Sequence, residues 1–438
     1  MTAQTPQPDI DRLLAAEIDK GRPAKRLPPL AAIARQFEAL GEDRYRLAIP
    51  DIGVTLELDR LRREHHELIG ELSARCELPG ARTVDGSLSI ADLNLSSARA
   101  RQDRAKLLAA RAGTGDQIDW AGLIEEFCQR ALQADRAGQP AVDLRQIERP
   151  DPREDMIEVY GLAMPRRHPT ILFGDGGTGK SYLALYLAGR MVEMGTSVAL
   201  FDWELCADEH RDRLERLFPD GMPRIVYARC ERPLVYEADR LRRIVRENSI
   251  AFSVYDSIAF ACDGPPEAAE VAGRYFRAVR QIGGGSLHIA HVNKSETADK
   301  KPFGSTFWHN GARSTWYVEQ AEASADSDVQ QIGIFNRKAN LGRLRPAVGF
   351  SIEFGHECTW FRKADVAGTP ELATRLTVTQ RMQHLLRSGA LTVTQIAEEL
   401  DVEVNTVTQT VNRYVKKGRV FIVLDGQNTS RKIGLLGA

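Results

Sequence analysis

The chain has 438 residues and a formal net charge of −1, because 59 Lys and Arg residues nearly balance 60 Asp and Glu residues. Such a chain does not bind polyanions through its overall charge, so any nucleic-acid surface must be a local patch. At roughly 100–200 residues per domain, the length predicts about two to four domains, each able to bury a core.

The six cysteines lie far apart in the sequence and form no CxxC pair. This spacing argues against a thiolate zinc site and predicts reduced, mostly buried thiols. No apolar run reaches the ~18–20 residues that a membrane span needs. The first residues also lack the basic and apolar segments of a signal peptide. We therefore expect a cytoplasmic protein that makes no membrane contact.

Two segments rich in Pro, Gly and charged residues, 138–168 and 363–376, mark the predicted domain boundaries. The resulting domains are 1–148, 149–365 and 366–438. The first is predicted to be α+β and carries no chemical motif, so its role stays open. We expect a hairpin over 44–49 and 54–58 and helices over 58–75, 97–112 and 120–134. His65 and His66 would point about 100° apart on the first helix, which argues against a metal site there.

The central domain alternates apolar strand-like runs with helix-like runs, which predicts an α/β fold with right-handed crossovers and a parallel sheet. The predicted strands are 170–173, 197–203, 224–228, 250–256 and 286–293, and the predicted helices are 180–194, 207–217, 237–247 and 267–281. Four shorter strands should follow as an antiparallel extension at one edge of the sheet, over 314–319, 331–335, 348–354 and 358–361.

The most specific motif is GxxxxGK[ST], placed between a predicted strand and a predicted helix. We expect its backbone N–H groups and the helix N-terminus to bind the phosphates of ATP. Lys180 should contact the β- and γ-phosphates, and the Ser181 hydroxyl should coordinate Mg²⁺. The predicted ATP-binding residues are Gly174, Asp175, Gly176, Gly177, Thr178, Gly179, Lys180, Ser181 and Tyr182.

Acidic residues end two later strands at the edge where ligands bind in such sheets. Asp256 is the candidate second Mg²⁺ ligand, with capping of the next segment as the alternative. Asp202 and Glu204 end the strand that follows the first helix. We expect Glu204 to activate the attacking water, because it clears the sheet edge more easily than Asp202. The alternative is that Glu204 caps the helix over 207–217.

The fifth strand contains two histidines. His291, with Asn293, is a candidate sensor of the γ-phosphate, whereas a solvated strand end is the alternative. His288 lies in the middle of the strand and is expected to be a core or edge histidine whose hydrogen bonds are satisfied.

Together these residues resemble the RecA-like ATPases, specifically the hexameric plasmid replicative helicases of the RepA type, over about 150–365. The resemblance implies that Glu204 is the catalytic glutamate, that Asp256 coordinates the metal, and that His291 links the γ-phosphate to a DNA-facing loop. It also implies a homo-oligomer in which a basic finger acts on the neighbouring subunit's nucleotide. Arg337 and Lys338 are the candidates for that finger, with Arg313 a weaker one. Asp175 departs from the family pattern because it places a negative charge near the phosphates.

Residues 377–438 show the pattern of a winged helix-turn-helix. Helices are predicted over 378–386, 392–400 and 404–415, followed by two wing strands over 419–424 and 430–433. Between 413 and 432 there are six Lys or Arg residues and one acid. The candidate DNA contacts are Thr406, Gln409, Asn412, Arg413, Lys416 and Lys417. A protein-binding role is the alternative.

The leading hypothesis is an ATP-driven oligomeric motor, such as a replicative DNA helicase or helicase-like protein of a plasmid, phage or integrated element. Single-stranded DNA would pass through the ring and contact Lys294, Lys300 and Lys301. One alternative is an ATP-switched DNA-binding regulator or replication-initiation factor that does not unwind DNA. The other is a signalling or defence ATPase whose C-terminal domain recruits proteins.

Overall fold

A computed structural model describes residues 34–41, 43–113, 117–138, 141–149, 151, 155–292, 302–321, 328–425 and 431–436. The chain divides into two compact units, 1–148 and 149–438. No helix in the described ranges has both the length and the apolar character to cross a membrane.

The N-terminal unit is built from one antiparallel sheet and two helices. In its described residues the strand order is β1-β2-β3-β4-β5, and both helices share one apolar core with the sheet. The elements are β1 (Gln36–Gly41), β2 (Arg44–Ile49), β3 (Val54–Glu64), β4 (Glu67–Cys76), β5 (Ser87–Asn94), α1 (Ala98–Ala112) and α2 (Trp120–Ala137). The predicted hairpin is confirmed, since β2 and β3 pair antiparallel. The two later predicted helices are also confirmed, as α1 and α2.

The helix predicted over 58–75 is wrong. That segment forms the end of β3 and most of β4, and the two strands are joined by a turn in which His65 and His66 both have positive φ. Alternate residues of β4 are buried, among them Leu68, Leu72 and Ala74, which is the period-two pattern of a half-buried strand. The run of charged residues at the end of β3 concealed that pattern.

The second unit contains a large, mostly parallel sheet. Its elements up to residue 364 are β6 (Met156–Val159), β7 (Leu162–Pro165), β8 (Pro169–Gly174), α3 (Lys180–Glu193), β9 (Val198–Asp202), α4 (Ala207–Leu217), β10 (Ile225–Arg229), α5 (Leu234–Glu247), β11 (Phe252–Asp256), α6 (Ile258–Ala261), α7 (Ala269–Ile282), β12 (Gly285–His291), α8 (Thr306–Gly311), β13 (Ser314–Gln320), β14 (Val329–Ala339), β15 (Val348–Phe354) and β16 (Thr359–Ala364). The predicted strands and helices are all present, with shifts of a few residues at their ends.

Among the described residues, nine strands form this sheet in the order β10-β9-β11-β12-β8-β13-β14-β15-β16. Helices α3 and α4 share an apolar core with one face, and α5 and α7 share a core with the other. This is the predicted α/β fold, with a mostly parallel sheet flanked by helices. The antiparallel extension is present and joins the parallel part through β13, which pairs parallel with β8 and antiparallel with β14. The β14–β15 and β15–β16 pairs are antiparallel as well.

The last part of the second unit forms a small core of its own. Helix α9 (Pro370–Ala373) precedes it and packs Leu372 into the core of the large sheet. The elements of the small core are α10 (Val378–Leu385), β17 (Leu391–Thr392), α11 (Val393–Leu400), α12 (Val404–Val415), β18 (Phe421–Asp425) and β19 (Lys432–Leu435). In the described residues the three strands have the order β17-β19-β18. Thr377 and Thr392 cap α10 and α11 through capping boxes with Gln380 and Gln395.

Candidate functional site

The phosphate loop joins β8 to α3 and holds the residues predicted to bind nucleotide. Gly177 and Gly179 have φ of 77° and 75°, the left-handed region that favours glycine. Gly174 is required for a different reason, since a Cβ there would lie 2.4 Å from the carbonyl oxygen of Val318 on β13. Three of the four glycines in the motif, Gly174, Gly177 and Gly179, are therefore required by the backbone.

Lys180 is buried at the first position of α3. Its Nζ donates to the carbonyl oxygens of Gly174 at 3.0 Å and Asp175 at 2.6 Å, so the ammonium group lies inside the curve of the loop. Burial lowers the pKa of Lys180, and the nearby carboxylates of Asp256, Asp175 and Glu204 act in the opposite direction. Carboxylates from the phosphate loop, the end of β11 and the turn after β9 thus partly offset the effect of burial on this lysine.

Asp256 ends β11 and is almost completely buried, at 2% exposure. Burial raises its pKa to about 6; the hydrogen bond from Ser181 lowers the pKa, and the charge on Glu204 raises it. The Oδ1 atom of Asp256 is buried without a hydrogen-bond partner. An orphaned carboxylate oxygen beside a phosphate-loop hydroxyl is the chemistry that a divalent cation satisfies.

Mg²⁺ is commonly bound through one or two carboxylates together with water and substrate phosphates. The part of the chain that the structure describes holds no group of three or more His, Cys, Asp or Glu side chains able to bind a metal. Ser181 and Asp256 therefore fit a magnesium site that the phosphates of the nucleotide complete.

Glu204 follows β9 and its side chain is exposed, whereas Asp202 at the end of β9 is fully buried. Glu204 does not cap α4: Cys206 is the N-cap residue, and its backbone N–H donates to the carboxylate of Glu209. The capping alternative for Glu204 is therefore wrong. Asp202, two residues before Glu204, pairs in register with Asp256, so Glu204 follows a strand end at the same edge of the sheet.

Replacement by neutral asparagine should change the stability of the fold in opposite directions at Asp202 and Asp256, the acids that end β9 and β11. Since Asp256 has a raised pKa, its ionised form destabilises the fold above about pH 6. We expect Asp256→Asn to raise the unfolding temperature by a few degrees at pH 8, on the order of 1–3 kcal/mol. The gain should vanish below about pH 4, where the carboxyl is protonated in both folded and unfolded states. Thermal unfolding without added Mg²⁺ or nucleotide, at both pH values, measures this.

Asp202 provides the matched comparison. Burial opposes its ionisation, yet His210 and the N–H groups of Leu205 and Glu204 lower the pKa of Asp202 to about 2. Asp202→Asn should therefore lower the unfolding temperature at pH 8. Equal destabilisation by the two substitutions would contradict the assignment of Asp256 as an unsatisfied, metal-ready carboxylate.

His291 is exposed at the end of β12, where it pairs in register with Gly174 at the start of the phosphate loop. It therefore lies at the predicted edge. His288 is completely buried between the Tyr275 hydroxyl and the Ser286 hydroxyl, each at 2.8 Å. Burial lowers the pKa of His288 to about 3, so it is a neutral core histidine, as predicted.

Arg337 and Lys338 lie near the end of β14. The guanidinium of Arg337 is over the rings of Tyr317 and Phe335, at 5.5 and 5.7 Å, and its Nε is buried without a partner. Lys338 Nζ donates to the carbonyl oxygen of His309 at 2.7 Å. Lys338 is thus already bound to α8, which leaves Arg337 as the better-placed finger candidate.

The backbone of this basic pair is remote from the phosphate loop along the strands. Lys338 pairs with Thr315, and Thr315 pairs with Ile171, three residues before the loop begins at Gly174. Each strand residue advances about 3.3 Å, so the separation along β8 is about 10 Å. The other end of β14 lies beside the loop.

Gln330, at that nearer end, was not predicted. Its Nε2 donates to the carbonyl oxygen of Gly177 at 3.3 Å. The next residue, Gln331, accepts a hydrogen bond from the Thr369 hydroxyl at 2.6 Å, at the first turn of the C-terminal segment. No sequence pattern marks either glutamine, because their roles depend on long-range strand pairing.

Tyr182, the last predicted ATP-binding residue, packs edge-on against Phe354, with ring centroids 5.4 Å apart. The guanidinium of Arg213 lies 4.8 Å from the centroid of the Tyr182 ring. This small cluster joins the first turn of α3 to α4 and β15. Lys294, Lys300, Lys301 and Asn293 lie outside the described residues.

The predicted DNA contacts of the C-terminal region all have exposed side chains: Thr406, Gln409, Asn412, Arg413, Lys416 and Lys417. Helix α12 buries Val407 and Val411 on its opposite face. The Asn412 side chain accepts a hydrogen bond from Arg431, just before β19, at 3.0 Å. One polar surface therefore spans the helix and the start of the strand.

Comparison with known proteins bears on the phosphate-loop region. Residues 133–297 match a family model described as an AAA domain, which is less than half of the chain. This segment is similar to AAA-type domains. The match includes the phosphate loop, Glu204, Asp256 and His291, and the AAA-type segment ends before Arg337. Together with the loop geometry, it supports nucleotide binding and ATPase chemistry.

Among solved structures, the ATPase domain of another protein is similar over 46% of this chain and 86% of that chain, with 14% sequence identity and a TM-score of 0.37. No curated protein matches the sequence.

Proposed function

We propose that the chain is an oligomeric, DNA-associated motor that hydrolyses ATP to ADP and phosphate, such as a replicative helicase or helicase-like protein of a plasmid, phage or integrated element. The observation that carries this proposal is the meeting of three groups at one sheet edge: Lys180 in the phosphate loop, the Ser181–Asp256 pair, and Glu204. Each supplies a part that ATP hydrolysis requires.

Within this mechanism the loop N–H groups and Lys180 hold the phosphates, while Ser181 and Asp256 hold the cation. Bound Mg²⁺ would neutralise charge on the β- and γ-phosphate oxygens. Glu204 orients the attacking water and accepts its proton. The exposed carboxylate of Glu204 suits this role, since it makes no capping contact that would withhold it.

His291 is proposed to report the state of the γ-phosphate to the loop that follows β12. The support is local: His291 lies beside Gly174, and its carbonyl oxygen accepts a hydrogen bond from the Phe303 N–H at 2.8 Å. The backbone at Phe303 is therefore hydrogen-bonded directly to His291, which lies beside the phosphate loop.

We propose that Arg337 acts on the nucleotide of a neighbouring subunit in a ring, with a hexamer as the expected assembly. Its backbone lies toward the end of the sheet away from its own phosphate loop. A basic group supplied in trans stabilises charge on the transferring phosphoryl group and makes hydrolysis depend on assembly.

The C-terminal segment, 366–438, is proposed to be a winged helix that contacts DNA through α12. We expect the pair Arg413→Ala and Lys417→Ala, made in the full chain, to weaken DNA binding about tenfold at 100 mM salt and to reduce the salt slope by about two. Lys363→Ala, an exposed lysine on β16, is the charge-matched control. Fluorescence anisotropy across a salt series makes the measurement, and unchanged affinity in the double variant would contradict DNA contact.

A second candidate function is a signalling or defence ATPase whose C-terminal segment recruits a protein. Three consecutive aliphatic side chains on β18 favour it, because Ile422, Val423 and Leu424 are all at least one-third exposed. An edge strand with exposed apolar side chains is a template for protein contact rather than for nucleic acid.

The deciding experiment is steady-state ATP hydrolysis with and without single-stranded DNA, paired with native mass. A motor predicts hydrolysis that single-stranded DNA stimulates severalfold, and a mass that is a multiple of the chain mass of 48.7 kDa, with six copies expected. Slow, DNA-independent hydrolysis with binding to a duplex site would favour the switched regulator instead. Absence of nucleotide binding would overturn the proposal as a whole.

A further inference from the structure

The turn after β9 is fixed by the side chain of Asp202. One carboxylate oxygen, Oδ1, accepts hydrogen bonds from the backbone N–H groups of Glu204 and Leu205, both at 3.0 Å. The other, Oδ2, accepts from the Tyr227 hydroxyl at 3.0 Å and from Arg229 Nη1 at 3.2 Å. A completely buried carboxylate with four donors is a rigid anchor.

Backbone hydrogen bonds connect the same turn to the proposed metal ligand. The N–H of Trp203 donates to the carbonyl oxygen of Asp256 at 2.7 Å. The indole Nε1 of Trp203 donates to the carbonyl oxygen of Arg232 at 2.8 Å, and its ring stacks on Tyr255. Residues 202 and 256 also pair in register. The residue before Glu204 is therefore attached to the strand end that carries Asp256.

Edge strand β10 completes this arrangement. Arg229 donates both to Asp202 and to the carbonyl oxygen of Leu205, so one guanidinium spans the base of the turn and its far end. His210 on α4 approaches Asp202 from the other side, with Nε2 3.5 Å from Oδ1. Contacts from β10, α4 and the turn thus converge on one carboxylate.

We propose that Asp202 is a positioning residue for ATP hydrolysis: by holding the N–H groups of Glu204 and Leu205 it fixes the backbone from which the Glu204 side chain projects. This inference rests on the proposed function, in which Glu204 activates water. Asp202 touches neither nucleotide nor metal in this scheme, and it acts only through Glu204. Misplacement of a catalytic group by about 1 Å costs on the order of 100-fold in rate.

The test uses full-length Asp202→Asn, with kcat and KM for ATP and the affinity for a fluorescent ATP analogue as readouts. Asparagine can keep its Oδ1 against the N–H groups of Glu204 and Leu205, but its NH₂ group then faces Arg229, which can only donate, so the anchor loses its charge and part of its hydrogen bonding. We expect kcat to fall at least tenfold while KM and analogue affinity change less than twofold. A merely structural role would lower nucleotide affinity together with turnover, and that result would overturn the proposal.

A double-mutant comparison sharpens the test. In the Glu204→Gln background, measured by single-turnover hydrolysis of radiolabelled ATP, Asp202→Asn should add less than a twofold further loss, because its only target is already disabled. An equal loss in both backgrounds would overturn the proposal.

If Asp202→Asn does not fold, Tyr227→Phe provides the test of the proposal. It removes one donor to Asp202 and should lower kcat about threefold without changing KM. Tyr236→Phe, an exposed tyrosine on α5, is the matched control and should have no effect. Full activity in Tyr227→Phe and in any folded Asp202→Asn would overturn the proposal.

The same data separate the two levels of inference. If Glu204→Gln retains wild-type turnover, the role of Glu204 in the proposed function fails, and the positioning proposal fails with it. If Glu204→Gln is inactive while folded Asp202→Asn is fully active, only the positioning role of Asp202 fails.

Discussion

Replacing Glu204 by glutamine is expected to lower ATP turnover by about 100- to 1,000-fold while ATP still binds with near-normal affinity. The reason is that an amide keeps the shape of the side chain but cannot accept the proton of the attacking water, and general-base catalysis contributes on the order of 10²–10⁴ in rate. Phosphate-release kinetics and equilibrium binding of a fluorescent ATP analogue measure the two quantities separately.

Lys180→Ala should behave differently and serves as the comparison. The buried Nζ donates to two carbonyl oxygens of the phosphate loop, so its removal disturbs the loop as well as its charge. We expect loss of nucleotide affinity by at least tenfold together with loss of turnover. If Glu204→Gln weakened binding as much as Lys180→Ala, Glu204 would be a binding residue and not the base.

Mixing two inactive variants should restore ATP hydrolysis if Arg337 acts on a neighbouring subunit. In a mixture of Arg337→Ala and Glu204→Gln chains, the first kind supplies an intact phosphate loop with Glu204, and the second supplies an intact Arg337. With head-to-tail contacts and random assembly, about a quarter of the interfaces in an equal mixture pair these intact halves. Turnover should therefore rise from near zero to about a quarter of the wild-type value.

A second mixture gives the control for this experiment. Lys180 and Glu204 belong to the same half of the site, so Lys180→Ala mixed with Glu204→Gln should stay inactive. Subunit exchange is checked by native mass of differently tagged chains. Full activity of Arg337→Ala alone, or no recovery in an exchanged first mixture, would contradict a finger supplied in trans.

The sequence predicted the parts of the site that depend on local spacing. The phosphate loop, the strand ends at Asp256 and Glu204, and the core histidine His288 each follow from a short motif or from strand periodicity. Their location at one edge follows from parallel pairing, because the carboxyl ends of parallel strands meet. The prediction of a parallel sheet was sufficient to bring them together.

The sequence did not reveal contacts made between distant strands. Tyr227 and Arg229 anchor Asp202 only because β10 pairs with β9, and Gln330 reaches the phosphate loop only because β14 runs antiparallel beside β13. Local pattern also failed at 58–75, where charged residues on a half-buried strand resembled a helix surface. Which strands become neighbours in the sheet, and in what register, is a tertiary property that periodicity and spacing do not encode.

The adjacent amides of Gln330 and Gln331 have a mechanical consequence. Neighbouring side chains on a strand point to opposite sides, so one end of β14 bears on the phosphate loop with one residue and on Thr369 with the next. A displacement of that strand end would change the hydrogen bond to Gly177 and the hydrogen bond from Thr369 together. A change in the phosphate loop that moved Gln330 would therefore also move Gln331 and its hydrogen bond to Thr369, at the start of the C-terminal segment.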